Sequence, residues 1–240
     1  MVTCQCLACG ESWQHEIDCG DRLCPRCNLK RRQRIMHRYL PLVRSMSERK
    51  FFTFTVKRAL LSRKLVSSLR KNFTKLRHRK IWKASGGIYN IEIGDFRDDG
   101  TCNLHIHGVM DSSYMLQKAL SDAWRDITGD SFIVDIRAVK DDRSAIHYMT
   151  KHLDYMTKHL AKLPEDLPVW KHKLINDVLR GTRLVQAFGD MAHEKLSLRE
   201  PVCPFCGAVG QIVCPDFDPA LWGFSGVIRR SRLASALEVD

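Results

Sequence analysis

The sequence predicts an α+β fold, an antiparallel sheet with helices packed on one face and small cysteine-rich modules appended. Three observations carry that expectation. Apolar and polar residues alternate with period two in "FFTFTV", "IYNIEIG", "CNLHIHGVM" and "SFIVDIRAV". Leucines and phenylalanines recur at helical spacing between those stretches. Two of the strands are separated only by the polar loop "DFRDDGT", which is hairpin length.

Each element follows in order. A basic helix is expected from about Leu29 to Met46. In "FFTFTV", Phe52, Phe54 and Val56 take one face and Thr53 and Thr55 the other. From about Leu60 to Lys83, Leu65, Leu69, Phe73 and Leu76 mark a helix, with Gly86 and Gly87 as its stop. Strand, hairpin and returning strand come next. Ser112 and Ser113 stand as caps of a helix carrying Leu116, Leu120, Ala123 and Ile127 and closed by Gly129. After the strand "SFIVDIRAV", Asp141 and Asp142 precede a long helix through "SAIHYMTKHLDYMTKHL", in which "YMTKHL" repeats with a period of seven. This order is that of a ferredoxin-like or RRM-like sheet with one extra helix. A turn-rich linker, a helix over Lys171–Arg180 and an irregular tail complete the chain. The expected partition is residues 1–48 as a zinc-binding module with the basic helix, 49–162 as the core, 163–200 as linker and helix, and 201–240 as a second knuckle-like segment.

The 240 residues are 44% hydrophobic, enough for a sizeable core, and no apolar run reaches bilayer-spanning length. Residues 1–10, "MVTCQCLACG", lack the charged start and apolar middle of a signal peptide, so a cytoplasmic protein is expected, without a membrane partner. Lys plus Arg number 39 against 27 Asp plus Glu, a net charge of +12. Much of the excess sits in "KRRQRIMHR", which includes Lys30, Arg31, Arg32 and Arg34, and in "RKLVSSLRKNFTKLRHRK". Such blocks point to a polyanion, most simply nucleic acid, because neutralising phosphates releases counterions.

Ten cysteines without a secretion signal favour metal over disulfides. Paired C-x2-C knuckles let thiolates converge on a tetrahedral Zn²⁺. By spacing, Cys6, Cys9, Cys24 and Cys27 are the first-choice ligands, with Cys19 and Cys4 as substitutes and His15 behind them. A second group, Cys203 and Cys206 of "CPFCG" with Cys214, lacks a visible fourth donor. His193, Cys4 or an open position are the alternatives, and one or two structural zinc ions are expected.

Parity places the chemistry. Leu104 and Ile106 face the core and His105 and His107 face away; Ile91 and Ile93 face the core and Glu92 faces away. Joined by a hairpin, the two strands must pair, and if their register brings position 92 near 105 or 107, a carboxylate and two imidazoles converge on one polar face. That donor set suits a divalent cation with positions left open for substrate oxygens. On the long helix, Ile146, Met149, Leu153, Met156 and Leu160 form the apolar stripe, while Tyr148, Lys151, His152, Tyr155, Lys158 and His159 occupy another face. An ammonium beside a phenol favours the phenolate, so Tyr148 is a candidate nucleophile towards phosphorus with Lys151 steadying the phosphodiester.

These residues resemble the HUH endonucleases and, within them, the replication initiators (Rep proteins) of rolling-circle plasmids. "FFTFTV", "HIH" within "NLHIHGVM" and "YMTK" look like the three family motifs in order. "CGDRLCPRC" followed by "KRR", "GTRLVQAFG" and "CPFCG" are similar to flanking features of that group, so the likeness spans most of residues 4 to 210. The resemblance implies a metal-dependent DNA endonuclease and strand transferase. It would nick and rejoin single-stranded or hairpin DNA at an origin through a 5′-phosphotyrosine link. His105, His107 and Glu92 would hold Mg²⁺ or Mn²⁺, Tyr148 would be the nucleophile and Lys151 its companion. Two departures stand out. Position 152, where two-tyrosine members carry a second Tyr, is His, and position 144, where some initiators carry Glu, is Ser. Tyr155 is therefore the alternative first or second nucleophile. No G-x-x-x-x-G-K motif is present, so a helicase and a polymerase are expected partners. A rolling-circle transposase with the same chemistry and a non-catalytic zinc-containing nucleic-acid binder are the rival expectations.

Overall fold

In the computed structural model of the chain, the described residues are 1–15, 19, 21, 23–139, 167–193 and 202–214. The long helix expected after Asp141, with Tyr148, Lys151 and Tyr155, lies outside them. The chain forms two compact units, Cys19–Ser197 and a smaller one that joins Met1–Asp18 to Leu198–Asp240. The first eighteen residues thus group with the end of the chain, not with the basic helix that follows them.

The larger unit is α+β. Its helices are α1 (Pro25–Arg44), α2 (Arg63–Arg77), α3 (Gln117–Thr128) and α4 (Val169–Leu179). Its strands are β3 (Arg49–Thr55), β4 (Ala59–Leu60), β5 (Ala84–Gly94), β6 (Thr101–Ser112), β7 (Val134–Ala138) and β8 (Val185–Gly189). They form an antiparallel sheet in the order β7-β3-β6-β5-β8, with β4 paired to β6. The hairpin of β5 and β6 is its centre.

One face carries the main core. Phe52, Phe54, Ile91, Leu104, Ile106 and Met110 project from the strands against Val66, Leu69, Phe73 and Leu76 of α2, Leu120 and Trp124 of α3, and Ile175 and Leu179 of α4. Ser62 starts α2 by accepting from the Leu65 amide at 3.2 Å. The fully buried Trp124 donates its Nε1–H to the Thr55 carbonyl at 2.8 Å, so α3 is tied to the end of β3. In addition, α1 packs on the opposite face: Tyr39, Leu42 and Val43, with Met46 just beyond, meet the cross-strand row Phe51, Val109 and Ile88.

Several boundaries differ from those the sequence suggests. α2 ends at Arg77, and Gly86 and Gly87 lie inside β5 instead of stopping the helix. Packing sets this. A Cβ at Gly87 would stand 2.4 Å from the Val109 carbonyl oxygen and 2.7 Å from the Phe188 ring, and one at Gly108 would stand 2.5 Å from the Phe52 ring. Glycine lets two phenylalanines lie flat on the sheet. Ser112 ends β6 and α3 starts at Gln117, so neither Ser112 nor Ser113 caps it. Within "GTRLVQAFG", β8 is an edge strand the alternation did not announce.

The smaller unit contains a three-stranded sheet, ordered β2 (Ser12–His15), β1 (Val2–Cys6) and β9 (Ile212–Val213). No helix among the described residues is long and apolar enough to cross a membrane.

Candidate catalytic site and cysteine clusters

The β3, β6 and β5 registers set Thr55, His105 and Glu92 in one cross-strand row and Thr53, His107 and Asn90 in the next. Glu92 therefore shares the face of both histidines. This polar end of the face adjoins the apolar end covered by α1, two residues further along each strand. His107 Nε2 stands 2.8 Å from Glu92 Oε2, and their side chains are 24% and 12% exposed. On the other side of each ring, Thr53 Oγ1 lies 2.7 Å from His107 Nδ1 and Thr55 Oγ1 lies 2.9 Å from His105 Nδ1.

The hydroxyl contacts matter for tautomers. An imidazole that offers Nε2 to a cation carries its proton on Nδ1, and that N–H then donates to the threonine oxygen. Thr53 and Thr55 were visible as the polar phase of "FFTFTV", yet nothing in that alternation assigned them a role. Their in-phase pairing with H-x-H was the signal available. Asp135 extends the same row from β7, opposite Thr53, and pairs with Arg137 at 2.9 Å.

His107 and Glu92 touch. His105 lies against the backbone of Gly94, where a Cβ would stand 2.4 Å from Nε2. The two imidazole centroids are 5.4 Å apart. Ligands in adjacent positions of an octahedron with bonds of about 2.1 Å lie about 3.0 Å apart. The His107–Glu92 pair already has nearly that spacing, and two imidazoles with a carboxylate are a chemically suitable set for a divalent cation.

The cysteines group otherwise than their spacing suggests. Cys6 and Cys9 gather with Cys203 and Cys206, while Cys24 and Cys27 gather with Cys19; within each group the sulfurs lie within 4.8 Å of one another. Both groups can hold a zinc ion. Cys214, expected as a ligand, is instead disulfide-bonded to Cys4. The β1–β9 register explains this, since Gln5 opposes Val213 and Cys6 opposes Ile212, which carries Cys4 towards Cys214. The tenth cysteine, Cys102, is buried in the main core, and burial pushes its thiol up to about 11.

The Cys19 group sits where α1 begins. The Cys27 amide holds the Cys24 thiol below its ordinary range, which offsets the cost of partial burial. Asp21 braces the loop: its carboxylate accepts from the Leu23 amide at 2.7 Å and Asn176 Nδ2 at 3.1 Å, and faces His172 Nε2 at 3.2 Å. Lys30, Arg31 and Arg34 follow in the first half of α1, and the side chain of Arg32 is outside the described set. The second basic block is partly structural. Arg63 of α2 donates to the Asp177 carbonyl at 2.7 Å, and Arg70 donates to the Arg183 carbonyl.

An antiparallel α+β scaffold with a histidine–carboxylate cluster on its sheet and thiol clusters outside it is a fitting frame for a metalloprotein acting on nucleic acid. The Rep_1 family, described as Replication protein, matches residues 12–203, and the chain belongs to that family. It is a replication protein, and DNA is its partner. No curated protein and no solved structure matches the chain.

Proposed function

We propose that the protein is a rolling-circle replication initiator, a metal-dependent endonuclease and strand transferase that nicks and rejoins single-stranded DNA at an origin. The observation that carries this reading is the Glu92–His107 contact on a sheet face shared with His105, inside a replication-protein family.

In this reading Glu92, His107 and His105 would hold Mg²⁺ or Mn²⁺, which would supply Lewis-acid chemistry for phosphoryl transfer. Thr53 and Thr55 keep Nδ1 of each histidine protonated and the rings in orientation. Tyr148 gives up its phenolic proton and attacks phosphorus. The bond to the 3′ oxygen breaks, that oxygen takes up a proton, and the 5′ phosphate stays on the tyrosine. Lys151 favours the phenolate and steadies the phosphodiester. The freed 3′-hydroxyl primes synthesis by a polymerase, with a separate helicase opening the duplex. Tyr155 serves the closing step. Lys30, Arg31, Arg32 and Arg34 grip the DNA backbone electrostatically.

The test is incubation with labelled single-stranded DNA carrying the cognate origin, with and without Mn²⁺. A Mn²⁺-dependent covalent adduct that is lost in Tyr148→Phe and retained in Tyr155→Phe is expected. Adduct formation untouched by both substitutions contradicts the reading.

A further inference from the structure

We propose that Cys6, Cys9, Cys203 and Cys206 form a single four-thiolate zinc centre, half of it supplied by each end of the chain. This site concerns the smaller unit and does not depend on the nicking chemistry.

The sulfur positions are the first argument. Cys6 and Cys206 Sγ are 3.7 Å apart and Cys9 and Cys203 Sγ are 3.8 Å apart. A tetrahedron with Zn–S bonds of about 2.3 Å has edges of about 3.8 Å. The two distances match those edges, and the remaining pairs stay within 4.8 Å.

The backbone is the second and is independent of the thiols. Each C-x2-C pair is wrapped by the same turn. The Gly10 amide donates to the Cys6 carbonyl at 2.9 Å, and the Gly207 amide donates to the Cys203 carbonyl at 3.0 Å. The Cys6 amide donates to the Glu11 carbonyl at 2.9 Å, and the Cys203 amide to the Ala208 carbonyl at 2.9 Å. Both glycines have φ of +76°, a left-handed conformation that other residues adopt only with strain. Two segments about two hundred positions apart thus share one knuckle, which aims two thiols and leaves backbone N–H groups near the sulfurs. The Phe205 amide, for example, donates to Cys203 Sγ at 3.4 Å.

The third argument is what else holds this unit. Among its described residues, the buried apolar ones are Val2, Cys4, Cys6 and Cys203. A shared metal at these thiols would add to the hold of the β1–β9 pairing and the Cys4–Cys214 disulfide. Four thiolates in a closed set, with no position left for substrate, describe a structural site that zinc fills; iron shares this donor set, and its visible absorption tells the two apart.

The test uses the full chain, purified under reducing conditions, with bound metal measured by elemental analysis. Cys6→Ser/Cys9→Ser and Cys203→Ser/Cys206→Ser should each lose one zinc equivalent, and the four-fold variant should lose no more than either. Cys24→Ser/Cys27→Ser should leave that equivalent in place. Should the variants fail to fold, wild-type protein answers by thiol alkylation. Cys6, Cys9, Cys203 and Cys206 should be protected together and released together by a zinc chelator. Separate equivalents lost by the two pairs, release of Cys6 and Cys9 together with Cys24 and Cys27, or the visible absorption of a ferric tetrathiolate would overturn the proposal.

Discussion

The polar sheet face and the terminal cysteine knuckles are both sets of metal-suited donors, but different forces hold them. His105, His107 and Glu92 stand on the two central strands, above a core of interlocked aromatics that includes Phe52, Phe54, Phe73 and Phe188. Their positions are by-products of strand register, which the core fixes whether or not a cation is present. The described residues around the knuckles include few buried apolar side chains, and the β1–β9 pairing, the Cys4–Cys214 disulfide and the proposed shared zinc join the two segments. A donor set on a packed sheet is prepared for its ion; one at paired chain ends is completed by it.

Removing donors from each region sharpens the contrast. The largest effect is expected for His107→Ala, which should lower metal-dependent nicking by about 10³-fold or more, since Lewis-acid stabilisation supplies several kcal/mol. Circular dichroism and thermal unfolding of the larger unit should be nearly unchanged. A comparable loss of nicking with a collapsed melting transition would break the claim that the sheet is prepared in advance. Stripping zinc with a strong chelator should do the reverse, abolishing hydrogen-exchange protection in β1 and β9 while β5 and β6 keep theirs.

A smaller effect is expected from Thr53→Val, which keeps the side-chain shape and removes the His107 Nδ1 partner. Mn²⁺ affinity measured by calorimetry should fall about 10- to 100-fold, the usual cost of losing such an outer partner, with little change in melting temperature. Gly94→Ala pushes directly on the His105 ring. It should alter Mn²⁺ affinity and leave zinc content as it was. The smallest effect belongs to Asp126→Asn, which removes an exposed ion pair with Arg79. Denaturant unfolding should shift by less than about 1 kcal/mol.

The contrast also explains what could be read in advance. Parity alone put Glu92, His105 and His107 on one face, because side chains on paired strands of a hairpin have only two sides to choose from. The same logic exposed Thr53 and Thr55 without suggesting that they hold the rings. Spacing could not reveal that the His105 ring lies against Gly94, since that depends on the close approach allowed there. The cysteine pairing was hidden for another reason. Any C-x2-C knuckle can meet any other, so the choice between Cys24–Cys27 and Cys203–Cys206 as partners of Cys6–Cys9 rests on β1 pairing with β9, a contact between chain ends that no local pattern encodes. Gly86 and Gly87 misled as a helix stop because glycine serves turns and close ring packing equally well.

Titration of the zinc-loaded protein with Mn²⁺, followed by electron paramagnetic resonance, tests most directly whether the sheet face is a separate catalytic cation site. The account predicts a Mn²⁺ site that is lost in Glu92→Gln/His107→Ala and kept in Cys203→Ser/Cys206→Ser. Mn²⁺ binding that survives the first pair of substitutions, or that vanishes with the second while the larger unit stays folded, would contradict it.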